Sequence, residues 1–225
     1  MSQTGRPMSD TKQRILDAAE RLFAEHGFAA TSLRAITASA GVNLAAVNYH
    51  FHSKEDLIRA LFTRRLAPLN RRRLELLDSL EKTAGSKPVP LKKLVEIFVG
   101  PVLETKRDSA QSGGLPVLLG RVYAEPGDLA VQIMKEQIGE LAVRFTAAFR
   151  RTLPELSPAD LGWRLHFTIG ALAHTLAASK LLEFLSRGAC DPTDIEGAKR
   201  RLTAFVVAGL RAPLPRPERP SRRKK

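Results

Sequence analysis

Residues 43–54, NLAAVNYHFHSK, gather side chains that suit the edges and phosphates of a nucleic acid. On a helix, Asn43, Ala45, Asn48 and Tyr49 would share one face. Asn48 can offer two hydrogen bonds to an adenine edge, and Ala45 or Ala46 can meet a thymine methyl. Tyr49, His50 and Lys54 suit phosphate oxygens, which position a protein without reading sequence. Lys54 would stand in the first turn of the next helix, where free backbone N–H groups also favour an anion.

Other chemistries find less support. The chain carries no Walker loop, dinucleotide fingerprint, His-Glu-x-x-His or nucleophile elbow. Cys190 follows Gly188-Ala189 with no base evident beside it, so an acyl-thioester enzyme is a remote alternative. A single cysteine excludes an internal disulfide framework and a cysteine-rich zinc module, and it suits a reducing, cytoplasmic setting. His166 and His174 lie two helical turns apart, too far for one metal ion, and read as core or interface histidines. No metal site and no cofactor is expected.

The elements that would hold these residues are helices throughout; no alternating strand pattern stands out. A first helix covers about Asp10 to His26, with Ile15, Ala18, Ala19, Leu22 and Phe23 on one face and Gly27 as its stop. A second covers about Leu33 to Ala40, capped by Thr31 or Ser32 and broken by Gly41. A third runs from about Leu44 to Phe51, capped by Asn43. Ser53 and Asp56 then form a capping pattern for a longer fourth helix to about Leu80. Residues 32–51 thus have the form of a helix-turn-helix, locked by Ile36, Ala40, Val42 and Val47. Past a boundary at Gly85, Pro88 and Pro90, helices are expected over 91–106, 115–124 and 126–152. Ser157-Pro158 and Asp191-Pro192 open two more, ending near Arg187 and Arg211. The fold class is all-α, with about nine helices.

The charge is unevenly spread over the 225 residues and their formal +13. Residues 1–60 hold 7 basic and 6 acidic side chains, whereas residues 213–225 hold 6 and 1. A coating protein that binds DNA by charge alone would not keep its first 60 residues near neutral. The four prolines and the Arg/Lys run after 212 predict a disordered basic tail. Met1 to Gln13 lacks the apolar core of a secretory signal, and His174, Lys180 and Glu183 interrupt the most apolar window, 167–185. No membrane role is expected.

Residues 12–62, through RILDAAERLFAEHGFAATSLRAITASAGVNLAAVNYHFHSKEDLIRALF, resemble the DNA-binding domain of the TetR family of bacterial transcriptional repressors. The resemblance implies a flexible arm over 1–8, a three-helix DNA-binding domain over 9–62, a ligand-binding and dimerisation domain over 63–212, and a tail over 213–225. It implies that Ser32, Arg34, the positions from Asn43 through Leu44 to His50, and Lys54 face double-stranded DNA. Leu44 stands where the family often has lysine, and Asn48 where it often has an aromatic, so base preferences do not carry over. Two further strings, GVNLAAVNYHFHSKEDLI and GWRLHFTIGAL at 162–172, are similar to PsrA-type repressors that respond to long-chain fatty acids.

By the same resemblance the last two helices would form a four-helix bundle with a second copy. Leu172, Leu176, Leu181, Phe184, Leu202, Phe205, Val206 and Leu210 are the expected interface, and an ordinary core within one chain would use the same pattern. A symmetric dimer would present two recognition helices about 34 Å apart, matching a palindromic operator. A pocket between the helices of 91–185 would be lined by Phe98, Val102, Leu118, Val122, Met134, Ile138, Trp163, His166 and Phe167. Arg121 either turns into that pocket to meet a carboxylate or an acyl-CoA phosphate, or pairs with Glu125 at the surface. The function these residues point to is a repressor released by a hydrophobic, anionic effector, a fatty acid or its CoA ester. A regulator of an efflux or stress operon answering an unrelated ligand is the alternative.

Overall fold

The computed structural model describes residues 8–108, 114–124 and 128–213. The basic tail beyond 213, the arm over 1–7 and Glu125 lie outside the described residues. Among the described residues the secondary structure is ten helices: α1 Met8–Ala30, α2 Leu33–Ala40, α3 Leu44–Phe51, α4 Lys54–Ala84, α5 Leu91–Asp108, α6 Gly114–Ala124, α7 Asp128–Thr152, α8 Pro158–Ala177, α9 Ser179–Leu185 and α10 Ile195–Arg211.

Local chemistry accounts for the tight start of the chain. Gly27, at φ 85° and ψ 170°, breaks the ladder inside α1. Thr31 donates to the Gly27 carbonyl at 2.8 Å and holds the bend. Ser32 Oγ accepts from Ala35 N–H, and Asn43 Oδ1 accepts from Ala46 N–H, so both side chains cap helices. Gly41 takes φ 62°, ψ 41° and closes α2 through bonds to the Thr37 and Ala38 carbonyls. A side chain there would be strained by the backbone and would also meet the Arg14 guanidinium at 2.9 Å. That guanidinium donates to the Gly41 carbonyl and ties α1 to the turn.

Two apolar cores result. The first joins Ile15, Ala19, Phe23, Ile36, Val47, Leu57, Leu61 and Phe62 from α1–α4, and it also takes Leu115 and Leu118 from α6 and Ile133 from α7. The second joins α4, α5, α7, α8 and α10 around Leu94, Val99, Phe145 and Phe149. Glu20 is buried at 2% exposure against the α4 arginines. Arg64 donates to its Oε2 at 2.6 Å, Arg65 Nε donates to the same oxygen at 3.0 Å, and Arg65 Nη2 stands 2.7 Å from Oε1 as an ion contact. Glu20→Ala is expected to destabilise the protein by about 2–3 kcal/mol, below the usual cost of breaking a buried pair because both arginines keep solvent access. Urea unfolding measures this; a loss under about 1 kcal/mol would show a surface-type pair.

Two boundaries differ from the sequence expectation. The helix opened by Ser157 does not run on to Arg187 but stops at Ala177, which raises the count from nine to ten. Lys106 donates to Ser179 Oγ and to the carbonyls of Thr175 and Pro192, drawing carbonyls away at this helix end. Burial holds the Lys106 ammonium below its usual pKa. Asp191 does not start the last helix either. Its carboxylate accepts from Thr193 in a local turn, and Asp194 caps α10 by accepting from Gly197 N–H at 2.7 Å. None of the described helices is long and apolar enough to cross a membrane.

Candidate functional site

The outward face of α3 is built from its inward one. Val47 and Phe51 are buried, which turns Leu44, Ala45, Asn48 and Tyr49 to solvent. Tyr49 is 66% exposed, and its ring stands edge-on to His50, which is half-buried. Ala46 is half-buried against the first core. Asn43 lies on the same outward side, but its carboxamide oxygen is spent on the cap. Ser32 and Arg34 sit at the start of α2, where the Ser32 hydroxyl is likewise spent as a cap. Lys54 Nζ donates to the Ala29 carbonyl at 3.3 Å. The expected DNA-facing residues therefore gather at one end of the chain, on the helix-turn-helix and the segment that follows it.

Two sequence profiles match the chain. That of the bacterial regulatory proteins of the tetR family covers residues 15–61. That of the tetracyclin repressor-like C-terminal domain covers residues 96–209. The chain belongs to the TetR family. It is a DNA-binding transcriptional regulator and not an enzyme. The HTH-type transcriptional regulator AcrR of Shigella flexneri is 37% identical over 97 residues, 43% of this chain and 42% of AcrR. TtgR of Pseudomonas putida is 39% identical over 59 residues, 26% of this chain and 28% of TtgR. These alignments thus span less than half of each relative. Among solved structures, a SmeT–triclosan complex superposes at TM-score 0.61 with 22% identity, over 92% of this chain and 99% of SmeT. GusR of Salmonella enterica superposes at 0.54 with 20% identity, over 93% of this chain and 99% of GusR. Those two likenesses speak to the fold.

In the TetR-type effector half, a cavity of about 110 Å³ lies between α4, α5, α7 and α8, with α6 contributing Leu119. Phe98, Val102, Met134 and Ile138 line it, as the sequence suggests. The other expected wall residues lie elsewhere. Leu118 is fully buried in the first core, and Val122 packs against that core. Trp163, His166 and Phe167 are exposed on the outer face of α8, where Trp163 stacks on Phe167. Arg121 points to α1: its guanidinium donates to the carbonyls of Ala24 and Glu25 at 2.9–3.3 Å, next to the Gly27 break. A helix end with unsatisfied carbonyls is a strong attractor for a cation. His174 is exposed on α8.

The expected interface residues also divide. Leu202, Val206 and Leu210 are buried in the chain's own second core, and Leu172 and Leu176 line the cavity. Leu181, Phe184 and Phe205 stay exposed, at 44%, 76% and 70%. α8 and α10 each carry apolar residues on an inward and an outward side, which helical spacing marks alike, whereas α9 buries none of its residues.

Arg73 and Asn70 on α4 are cavity residues that the sequence reading passes over. A signal for them was present. Leu66, Leu69, Asn70, Arg73 and Leu77 follow the spacing of a buried helix face, so the third residue of the Arg71–Arg73 run falls on the core stripe.

Proposed function

We propose that this TetR-type regulator binds a palindromic operator as a homodimer and leaves it when a hydrophobic effector enters the α4–α8 cavity. The observation that carries this reading is the outward face of α3, with Ala45, Asn48 and Tyr49 held clear of the core by Val47 and Phe51. The two exposed aromatics of α8 and Phe205 of α10 supply an apolar face for the second copy, beside Gly170 and Gly209, where an added Cβ would meet nothing. Ligand controls DNA binding only by favouring one of two states, and α4 is the element that runs from the cavity to the reading head. The strings similar to PsrA-type repressors make a long-chain fatty acid or its CoA ester the first effector to try.

Fluorescence anisotropy with DNA from upstream of the protein's own gene tests the reading. The expected result is saturable binding at physiological salt that unrelated DNA does not compete away, and release on adding palmitate or palmitoyl-CoA but not butyrate. Binding to all DNA alike, with a steep salt dependence, would overturn it. Identical half-site spacing with and without effector would remove α4 as the lever.

A further inference from the structure

Among the described residues, one buried charge has no counter-charge to answer it. Arg73 is 6% exposed. Among the described residues it makes no salt bridge and no hydrogen bond, and its Nε is sealed from solvent without a partner. Its guanidinium lies 4.6 Å from the Phe98 ring centre and 5.5 Å from that of Phe145. Those ring faces offset only part of what a buried cation loses on leaving water. Burial pulls its pKa down to about 10, which leaves it charged at neutral pH. Among the described residues, the walls of the cavity it lines hold no carboxylate, and apart from Asn70 and Arg73 they are apolar. Asn70 brings no counter-charge: its Nδ2 donates to the Gln137 carbonyl, and its Oδ1 is sealed.

We propose that Arg73 is the anion receptor of this cavity and that the effector is a free carboxylic acid with an apolar body. This rests on the reading of the cavity as the effector site and narrows it. A carboxylate matches the two-pronged guanidinium and leaves behind little polar surface once paired. The nucleotide phosphates of a CoA ester cannot sit at a point so far from water. The size of the cavity adds a condition. At about 110 Å³ it is smaller than the roughly 150 Å³ that takes up one benzene. An acid with a longer body must part the walls, and α4, which carries both Arg73 and the arginines that hold Glu20, is one of them.

Hexanoate, decanoate, palmitate, palmitoyl-CoA and the neutral decanamide, each below its micellar concentration, form the probe set. Binding to the full-length protein is read by calorimetry and by the shift of Tm. At least one free acid is expected to bind roughly tenfold to hundredfold tighter than the amide, the range of a charge-assisted bond. Arg73→Met is expected to raise the Tm of the ligand-free protein, because a buried charge is gone, and to erase the preference for acid. Arg73→Lys keeps the charge and should keep a weakened preference, which guards against misreading a misfolded variant. Equal binding of acid and amide, undiminished acid binding by Arg73→Met, or no saturable binding of any free acid would each overturn the proposal. So would binding of palmitoyl-CoA alone. Operator binding is measured separately on the same samples. Acid binding that needs Arg73 in a protein without a specific operator would leave this inference standing and remove the regulatory one.

Discussion

Ala45→Glu is expected to leave the protein folded and to weaken operator binding roughly hundredfold or more. Ala45 is exposed on α3, and glutamate is a good helix former, so the fold has little reason to notice the change. The DNA would notice it in two ways. A side chain larger by four non-hydrogen atoms lifts α3 away from the base edges, where one good contact is worth about 1–3 kcal/mol. A negative charge is also brought against phosphates. Anisotropy on the operator fragment measures the loss, and circular dichroism checks the helix content. Operator affinity within about threefold of the parent would mean that α3 does not enter the groove in the way its exposed face suggests.

The second large effect is expected at the other end of the chain. Trp163 and Phe205 are 62% and 70% exposed, large apolar side chains that a monomer in water would gain nothing by displaying. Replacing both with glutamate should yield a folded monomer by sedimentation velocity. A buried aromatic at an interface contributes about 2 kcal/mol or more, and twofold symmetry counts each change twice. The dimer constant should therefore rise roughly thousandfold for each substitution. Operator binding should fall with it, since half-sites would be held singly. An unchanged dimer would place the interface elsewhere, leaving Phe184 and Leu185 of α9, also exposed, as the next surface to alter.

The reading head was legible in the sequence because its signals are local. Ser32, Gly41, Asn43 and Ser53 each act within three or four residues, and α2 and α3 begin and end where those residues demand. The effector half was less legible because its decisive contacts are distant in sequence. Lys106 ends a helix some 70 residues away, a contact no local pattern announces. Arg121 could be seen as a charge in an apolar run, but its partners, the carbonyls of Ala24 and Glu25, exist only once Gly27 has broken α1. Trp163 and Phe167 look like pocket residues by type, and spacing alone cannot say which apolar stripe of α8 faces inward. Arg73 was hidden by company: beside two solvent-facing arginines it reads as one more surface charge, though helical geometry turns each of the three by about 100°.

The first core does not stop at the end of the helix-turn-helix. Leu115, Leu118 and Ile133 complete it from the effector half, and Arg121 closes the loose end of α1. The seam suggested by residue 62 is therefore not where this molecule would come apart. A chimaera joining residues 1–62 to another regulator's body would inherit an unfinished hydrophobic surface. The exchange that respects the packing carries α6 and the start of α7 along with the head. Retargeting this protein to new DNA is better done by rewriting the outer face of α3 in place than by transplanting the whole module.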